Sequence, residues 1–315
     1  MTKTLWLICL VLGFALVGLI VFNSNLPARI KSKKILGNKS KIPSLPASPL
    51  VKPPQMKPEA PEPNILAKSV ILIDRDSFKI IYQKNPTERV PIASTTKIMT
   101  ALVILENYPD KLKDEVQITR EMINVDGSDI DLRPGEKMTV ENLLKGLLIY
   151  SGNDAAFSLA SFFGGKEEFV KIMNEKAIFL GLKNTRFRDP AGLDDEGFST
   201  ARDLAILASY ALRNKTFAEI ARTPNITLTS ADGRLIHELK NSNRMLRSEE
   251  EFYYPFAIGI KTGFTPAAGH CLVSAASKDN HVLIAVILNT NENTLTASAK
   301  ESRKLLEWGF ANFSW

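Results

Sequence analysis

Histidine and cysteine are nearly missing from this chain: three of the first and two of the second among 315 residues. Two cysteines cannot make a disulfide framework, and Cys9 lies in an apolar stretch where it is not expected to meet Cys271. Cys271 reads as a small buried strand residue. His237, His270 and His281 are scattered without paired ligand spacing, so no metal site is indicated and each reads as an ordinary surface or strand residue. No phosphate-cradling loop, histidine triad or internal repeat is visible either. Net charge is also scarce where it would matter. Residues 1–22 carry +1, residues 23–64 carry +6, and the remainder holds 31 basic against 32 acidic side chains, so nucleic-acid binding is not indicated.

What is present begins with an 18-residue apolar run, Leu5 to Phe22, at the short end of what crosses a bilayer as a helix. No small-x-small cleavage site follows, so residues 1–22 are expected to be an uncleaved anchor, with a cleaved signal segment as the alternative. Residues 23–64 then read as a linker, first basic (Arg29 to Lys41), then proline-rich. Eight of the 17 prolines fall between Pro43 and Pro63, a composition expected to stay extended rather than join helix or sheet. The basic flank would favour the cytoplasm by the positive-inside bias, whereas the chemistry below asks for the outside.

Residues 65–315 have globular patterning. Ser69–Asp74 and Phe78–Gln83 read as a hairpin. Helices are expected over Thr95–Glu106, Val140–Tyr150, Asn153–Phe163, Thr200–Leu212 (capped by Ser199 or Thr200) and Lys300–Phe310. Strand character returns at Phe256–Lys261, Gly269–Ser274 and Val282–Asn289. The expected fold is mixed α/β: a mainly antiparallel sheet built from both chain ends, with a helical cluster between them.

Three short strings carry chemistry: Ser94-Thr95-Thr96-Lys97, Ser151-Gly152-Asn153 and Lys261-Thr262-Gly263. Ser94 is the only serine with a lysine three residues later, and K-T-G occurs once. A hydroxyl needs a base before it attacks. A lysine at i+3 lies on the same helix face and serves once its pKa falls, through partial burial and the nearby cation of Lys261. Ser151 suits proton relay to a leaving amine, and Asn153 suits a substrate amide. Lys261 and Thr262 are expected to face a terminal carboxylate, and Gly263 to leave room for an extended substrate. The main-chain N–H groups of Ser94 and Phe264 are expected to form an oxyanion hole.

The flanks go further. PIASTTKIMTALVILE, LLKGLLIYSGNDAAFSLA, AGLDDEGFSTARDLAILASYAL, KNSNRML, IGIKTGFTPAAGHCLVSAA and KLLEWGF resemble the serine D-alanyl-D-alanine carboxypeptidases, the low-molecular-mass penicillin-binding proteins. The resemblance covers about residues 65–315 and implies a β-lactamase/transpeptidase-like fold. It implies removal of the terminal D-alanine from peptidoglycan pentapeptides outside the cytoplasmic membrane, without metal or organic cofactor. Ser94 would carry the acyl group, Lys97 would be the base, and Ser151, Asn153 and Lys261 would complete the catalytic set. Thr262, Gly263, Phe264 and Thr265 would bind substrate, and β-lactams would acylate the same serine. Three positions depart from the family pattern: Phe264 and Phe198 stand where histidine is common, and Ser298 where an arginine often assists carboxylate binding. A D,D-endopeptidase shares all three motifs. A class A β-lactamase would want S-D-N and an E-x-x-L-N loop, and neither is found. An inactive peptidoglycan- or β-lactam-binding sensor would need neither nucleophile nor base.

Overall fold

A computed structural model describes residues 52–315. In chain order it runs through β1 (Gln55–Met56), β2 (Ala67–Asp74), β3 (Ile80–Lys84), α1 (Lys97–Asn107), β4 (Glu115–Gln117), α2 (Arg120–Ile123), β5 (Lys137–Thr139), α3 (Val140–Lys145) and α4 (Asn153–Phe162). It continues with α5 (Lys166–Phe179), α6 (Ala201–Ala211), α7 (Lys215–Ala221), β6 (Asn225–Thr229), β7 (Ile236–Lys240), β8 (Ala257–Thr265), β9 (Gly269–Lys278), β10 (His281–Thr290), α8 (Ala297–Asn312) and β11 (Phe313–Ser314).

Five strands form the central sheet in the order β3-β2-β10-β9-β8, each pair antiparallel. Its middle strand has no polar alternation because both faces are covered. Ile284, Val286 and Leu288 enter the large core with the helices, while Leu283, Ala285 and Ile287 enter a second core under α8. Side chains alternate with period two, so one apolar run serves two layers. Leu305 and Leu306 of α8 close the second core, each worth roughly 2 kcal/mol of burial. The mixed α/β, mainly antiparallel architecture read from the sequence is what forms.

Helix α1 is buried from Lys97 to Leu105, so it is a core helix without a solvent face. A 3₁₀ turn, Ala93–Thr96, leads into it and carries Ser94. The expected helix Val140–Tyr150 divides into α3 and a π-helical stretch, Gly146–Tyr150, ending at Ser151. Thr200 is the cap of α6, its hydroxyl accepting from the Asp203 N–H at 3.0 Å. The β6–β7 hairpin, α5 and α7 were not among the elements expected.

The proline-rich segment needs a correction at its end. Gln55 and Met56 pair with Ser314 and Phe313, Pro54 and Pro63 are buried, and Trp308 Nε1 donates to the Pro61 oxygen at 2.6 Å. Proline forbids a central strand but not an edge one, and β1 is a two-stranded edge pair. Residues 1–22 and most of the linker lie outside the described residues. Among the described residues no helix is long and apolar enough to cross a membrane.

Candidate functional site

The 3₁₀ turn explains the Ser94–Lys97 spacing better than an α-helix does. Residues i and i+3 eclipse in a 3₁₀ turn, so the lysine stands directly over the serine. Lys97 Nζ lies 2.8 Å from Ser94 Oγ, 2.6 Å from Asn153 Oδ1 and 3.1 Å from the Ala191 main-chain oxygen. Asn153 and Ala191 offer only acceptors here. A neutral amine donates its two N–H bonds to them and turns its lone pair toward the Ser94 hydroxyl. Burial pushes the Lys97 pKa down to about 7, opposed by the carboxylates of Asp189 and Asp154. The amine is therefore poised to accept a proton near neutrality.

Two loops build this pocket. Asp189 accepts from the N–H groups of Ala191 and Gly192 at 2.6 Å each and of Asp194 at 2.7 Å, shaping the turn that presents the Ala191 carbonyl. A Cβ on Gly192 would sit 1.9 Å from the Ala93 oxygen, so only glycine allows this turn against the Ser94 turn. Ala93 itself has φ of 45°, and Ser151 has φ of 80°, so left-handed residues stand beside Ser94 and in the second string. Asn153 is held by its side-chain Nδ2, donating to Asp126 O at 2.6 Å, and by its main-chain N, donating to Ser128 O at 2.7 Å.

The third string lies on β8, at the sheet edge. Thr262, Gly263, Phe264 and Thr265 line a cavity of about 990 Å³ together with Ser94, Ser151, Asn153 and Ser298. Gly263 abuts the nucleophile's turn: a Cβ would come within 2.9 Å of Ile92 O and 3.0 Å of Ser94 N. Its smallness thus serves close approach of strand to turn, beyond any room left for substrate.

Lys261 is placed differently from the expectation. It is fully buried and not among the residues lining the cavity, its amine donating to Thr262 O at 3.0 Å. Burial, and secondly the nearby Lys97, hold its pKa well below the ordinary lysine value. The lowered basicity of Lys97 comes from burial, rather than from the Lys261 cation invoked in the sequence reading. Thr265 is also committed elsewhere, its hydroxyl donating to Asp195 Oδ1 at 2.7 Å. Phe264 is half-exposed at the rim and stacks on His270, with ring centroids 4.4 Å apart. Ser298 is buried in the wall at the first turn of α8.

Several cleft residues had been given no role. Ser242 accepts from the Thr262 hydroxyl at 2.7 Å, and Tyr150, Glu238, Arg244 and Arg247 also line the cavity. The string K-N-S-N-R-M-L was the available signal, since it belongs to the resembling stretches. Its side chains carry no chemistry that spacing alone would single out.

Comparison with known proteins agrees with this geometry. The family model described as D-alanyl-D-alanine carboxypeptidase matches residues 55–292. D-alanyl-D-alanine carboxypeptidase DacF of Bacillus subtilis is 40% identical over 252 residues, covering 78% of this chain and 63% of the relative. This chain thus spans less than two thirds of that protein's length. A D-alanyl-D-alanine endopeptidase of Escherichia coli is 33% identical over 256 residues, covering 79% of this chain and 80% of that one. The crystal structure of a Streptomyces DD-transpeptidase superposes with a TM-score of 0.73 at 33% identity, covering 80% of this chain and 99% of that one. With Ser94, Lys97 and the K-T-G strand assembled around one cleft, the chain belongs to the D-alanyl-D-alanine carboxypeptidase family.

Proposed function

We infer that this protein removes the terminal D-alanine from peptidoglycan stem peptides through an acyl-enzyme on Ser94. The observation that carries the reading is the buried Lys97 amine, 2.8 Å from Ser94 Oγ and held from two other sides by carbonyl oxygens. In acylation the Ser94 proton passes to Lys97 Nζ as Oγ bonds to the carbonyl carbon of the penultimate D-alanine. The main-chain N–H groups of Ser94 and Phe264 take the oxyanion. The proton then moves, by way of Ser151, to the amine of the departing D-alanine as the C–N bond breaks. Water, deprotonated by the same base, attacks the ester and releases the shortened peptide and the free Ser94 hydroxyl. Lys261 supports Thr262 from within the strand, its amine donating to the Thr262 main-chain oxygen at 3.0 Å.

β-Lactams are then expected to acylate Ser94. A labelled penicillin marks the full chain covalently, and Ser94→Ala is not marked; labelling that persists in the variant defeats the assignment. Cleavage of crosslinks is the second reading, favoured by the cleft volume of about 990 Å³ and by the endopeptidase relative. Release of D-alanine from a pentapeptide, set against cleavage of a crosslinked dimer, separates the two. The reading also places residues 1–22 as a membrane anchor and the catalytic domain outside the cytoplasmic membrane, where peptidoglycan lies.

A further inference from the structure

One buried polar cluster takes no part in the steps above. His237 on β7 is 6% exposed, and both ring nitrogens are engaged. Nδ1 lies 2.7 Å from the Ile130 main-chain oxygen, and Nε2 lies 2.7 Å from Oε1 of Glu136. A carbonyl oxygen only accepts, so Nδ1 carries a hydrogen. One further proton is shared between Nε2 and the carboxyl group, as imidazolium with carboxylate or as neutral ring with neutral acid. The Glu136 side chain has no exposed surface, so losing its partner leaves a carboxyl group buried and unpaired. Its second oxygen accepts the Arg133 N–H at 2.9 Å.

The cluster joins two parts of the cleft. Glu238, Leu239 and Lys240, the three residues after His237 on β7, line the cavity, as do Gly127 and Ser128 of the segment whose Ile130 meets the imidazole. Residues 126–132 are the segment that aims Asn153, through Asp126 O and Ser128 O, and it is fastened again where Ile130 N and Leu132 N donate to Asp154. Asn153 in turn holds Lys97 at 2.6 Å. Hydrogen bonds joined by the main chain of residues 126–130 therefore connect the His237–Glu136 pair to the amine over Ser94.

The geometry points to His237 and Glu136 as a positioning pair for the serine chemistry: by tying β7 to residues 126–132 they hold the Asn153 amide, and through it the Lys97 amine, in bonding register with Ser94. This rests on the acyl-enzyme reading. A merely structural pair changes stability and leaves the chemical step alone; a positioning pair changes the maximal acylation rate more than the half-saturating concentration.

The test measures penicillin acylation of the full chain as a maximal rate and a half-saturating concentration, below each variant's unfolding midpoint. Glu136→Gln keeps both hydrogen bonds, since neutral His237 donates from Nδ1 and accepts at Nε2 from the new amide. His237→Ala is expected to lower the maximal rate by about tenfold or more, as sub-ångström misplacement does, with half-saturation shifted by less than about threefold. Glu136→Gln is expected to keep the rate within about threefold of wild type. A wild-type rate in His237→Ala, or a loss confined to half-saturation, overturns the pair, as does an equal rate loss in Glu136→Gln. If His237→Ala does not fold, Glu136→Ala against Glu136→Gln makes the same comparison, and equal rates overturn the pair. A wild-type chain that takes no label defeats the acyl-enzyme reading itself; a labelled wild type with unimpaired variants defeats the pair alone.

Discussion

Burial of Lys97 sets both a reactivity and a cost. Its folded pKa is about 7, whereas an unfolded lysine titrates near 10.4. Acylation should therefore climb through about pH 7 as the amine loses its proton, read as the rate of penicillin labelling between pH 5 and 9. For stability the unfolded chain binds more protons than the native one between these two values. Stability thus rises with pH across that window and is at its lowest, and flat for this group, below pH 7. Lys261 is shifted in the same direction and adds to the slope. Lys97→Met should abolish acylation, flatten the slope and raise stability at pH 7 by on the order of 2 kcal/mol, measured by urea unfolding. A variant less stable than wild type at that pH would mean the amine is well accommodated as a cation. Gly263→Ala tests the close approach of β8: with a Cβ 2.9 Å from Ile92 O and 3.0 Å from Ser94 N, strand or turn must shift. Acylation should fall by about a hundredfold while the unfolding free energy changes by roughly 1–3 kcal/mol.

Elements were legible where one physical rule acted alone. The β2–β3 hairpin, helix α1, and strands β8 to β10 are legible from apolar runs and turn residues, although β8 and β9 each run four residues beyond the expected end. The three motif strings meet at one cleft, on the 3₁₀ turn, after the π stretch and on β8, because chemistry narrows the residue types that can stand there. What stayed hidden depended on tertiary partners. β1 pairs only because β11 from the far end of the chain lies beside it, and no local pattern in a proline-rich segment foretells that. The 3₁₀ turn at Ser94 and the π stretch before Ser151 are imposed by packing, and their residues, taken singly, fit an ordinary helix. His237 looked ordinary because its partners, Ile130 and Glu136, lie 107 and 101 residues away in the chain. The sheet's two-sided burial makes a test at this scale. Leu305→Ala on α8, on the sheet face away from the large helical core, should cost about 2–5 kcal/mol of stability yet leave acylation within about twofold. A tenfold rate loss in the folded variant would show that the second core tunes the site.

For the whole molecule, the proposed topology conflicts with a charge rule, and the fold supplies a way to decide. Six basic side chains lie between Arg29 and Lys41, a flank that the positive-inside bias would hold in the cytoplasm. An outward domain leaves that flank either as a solvated tether or against anionic lipid headgroups, where a basic residue near the surface is worth about 1 kcal/mol of attraction. Trypsin added to intact cells distinguishes the two arrangements. Arg29, Lys31, Lys33, Lys34, Lys39 and Lys41 offer cutting sites, whereas Lys52 and Lys57 are each followed by proline and resist the protease. Lys57 is also tied into the fold, its ammonium donating to Ala311 O at 2.7 Å and its N–H to Asn312 O at 2.8 Å. The expected product is a fragment beginning after Lys41 that leaves the cell surface and still takes up labelled penicillin, because β1 and all later elements travel with it. Full protection of the chain in intact cells, with cutting only after lysis, would put the catalytic domain inside and remove peptidoglycan as its substrate.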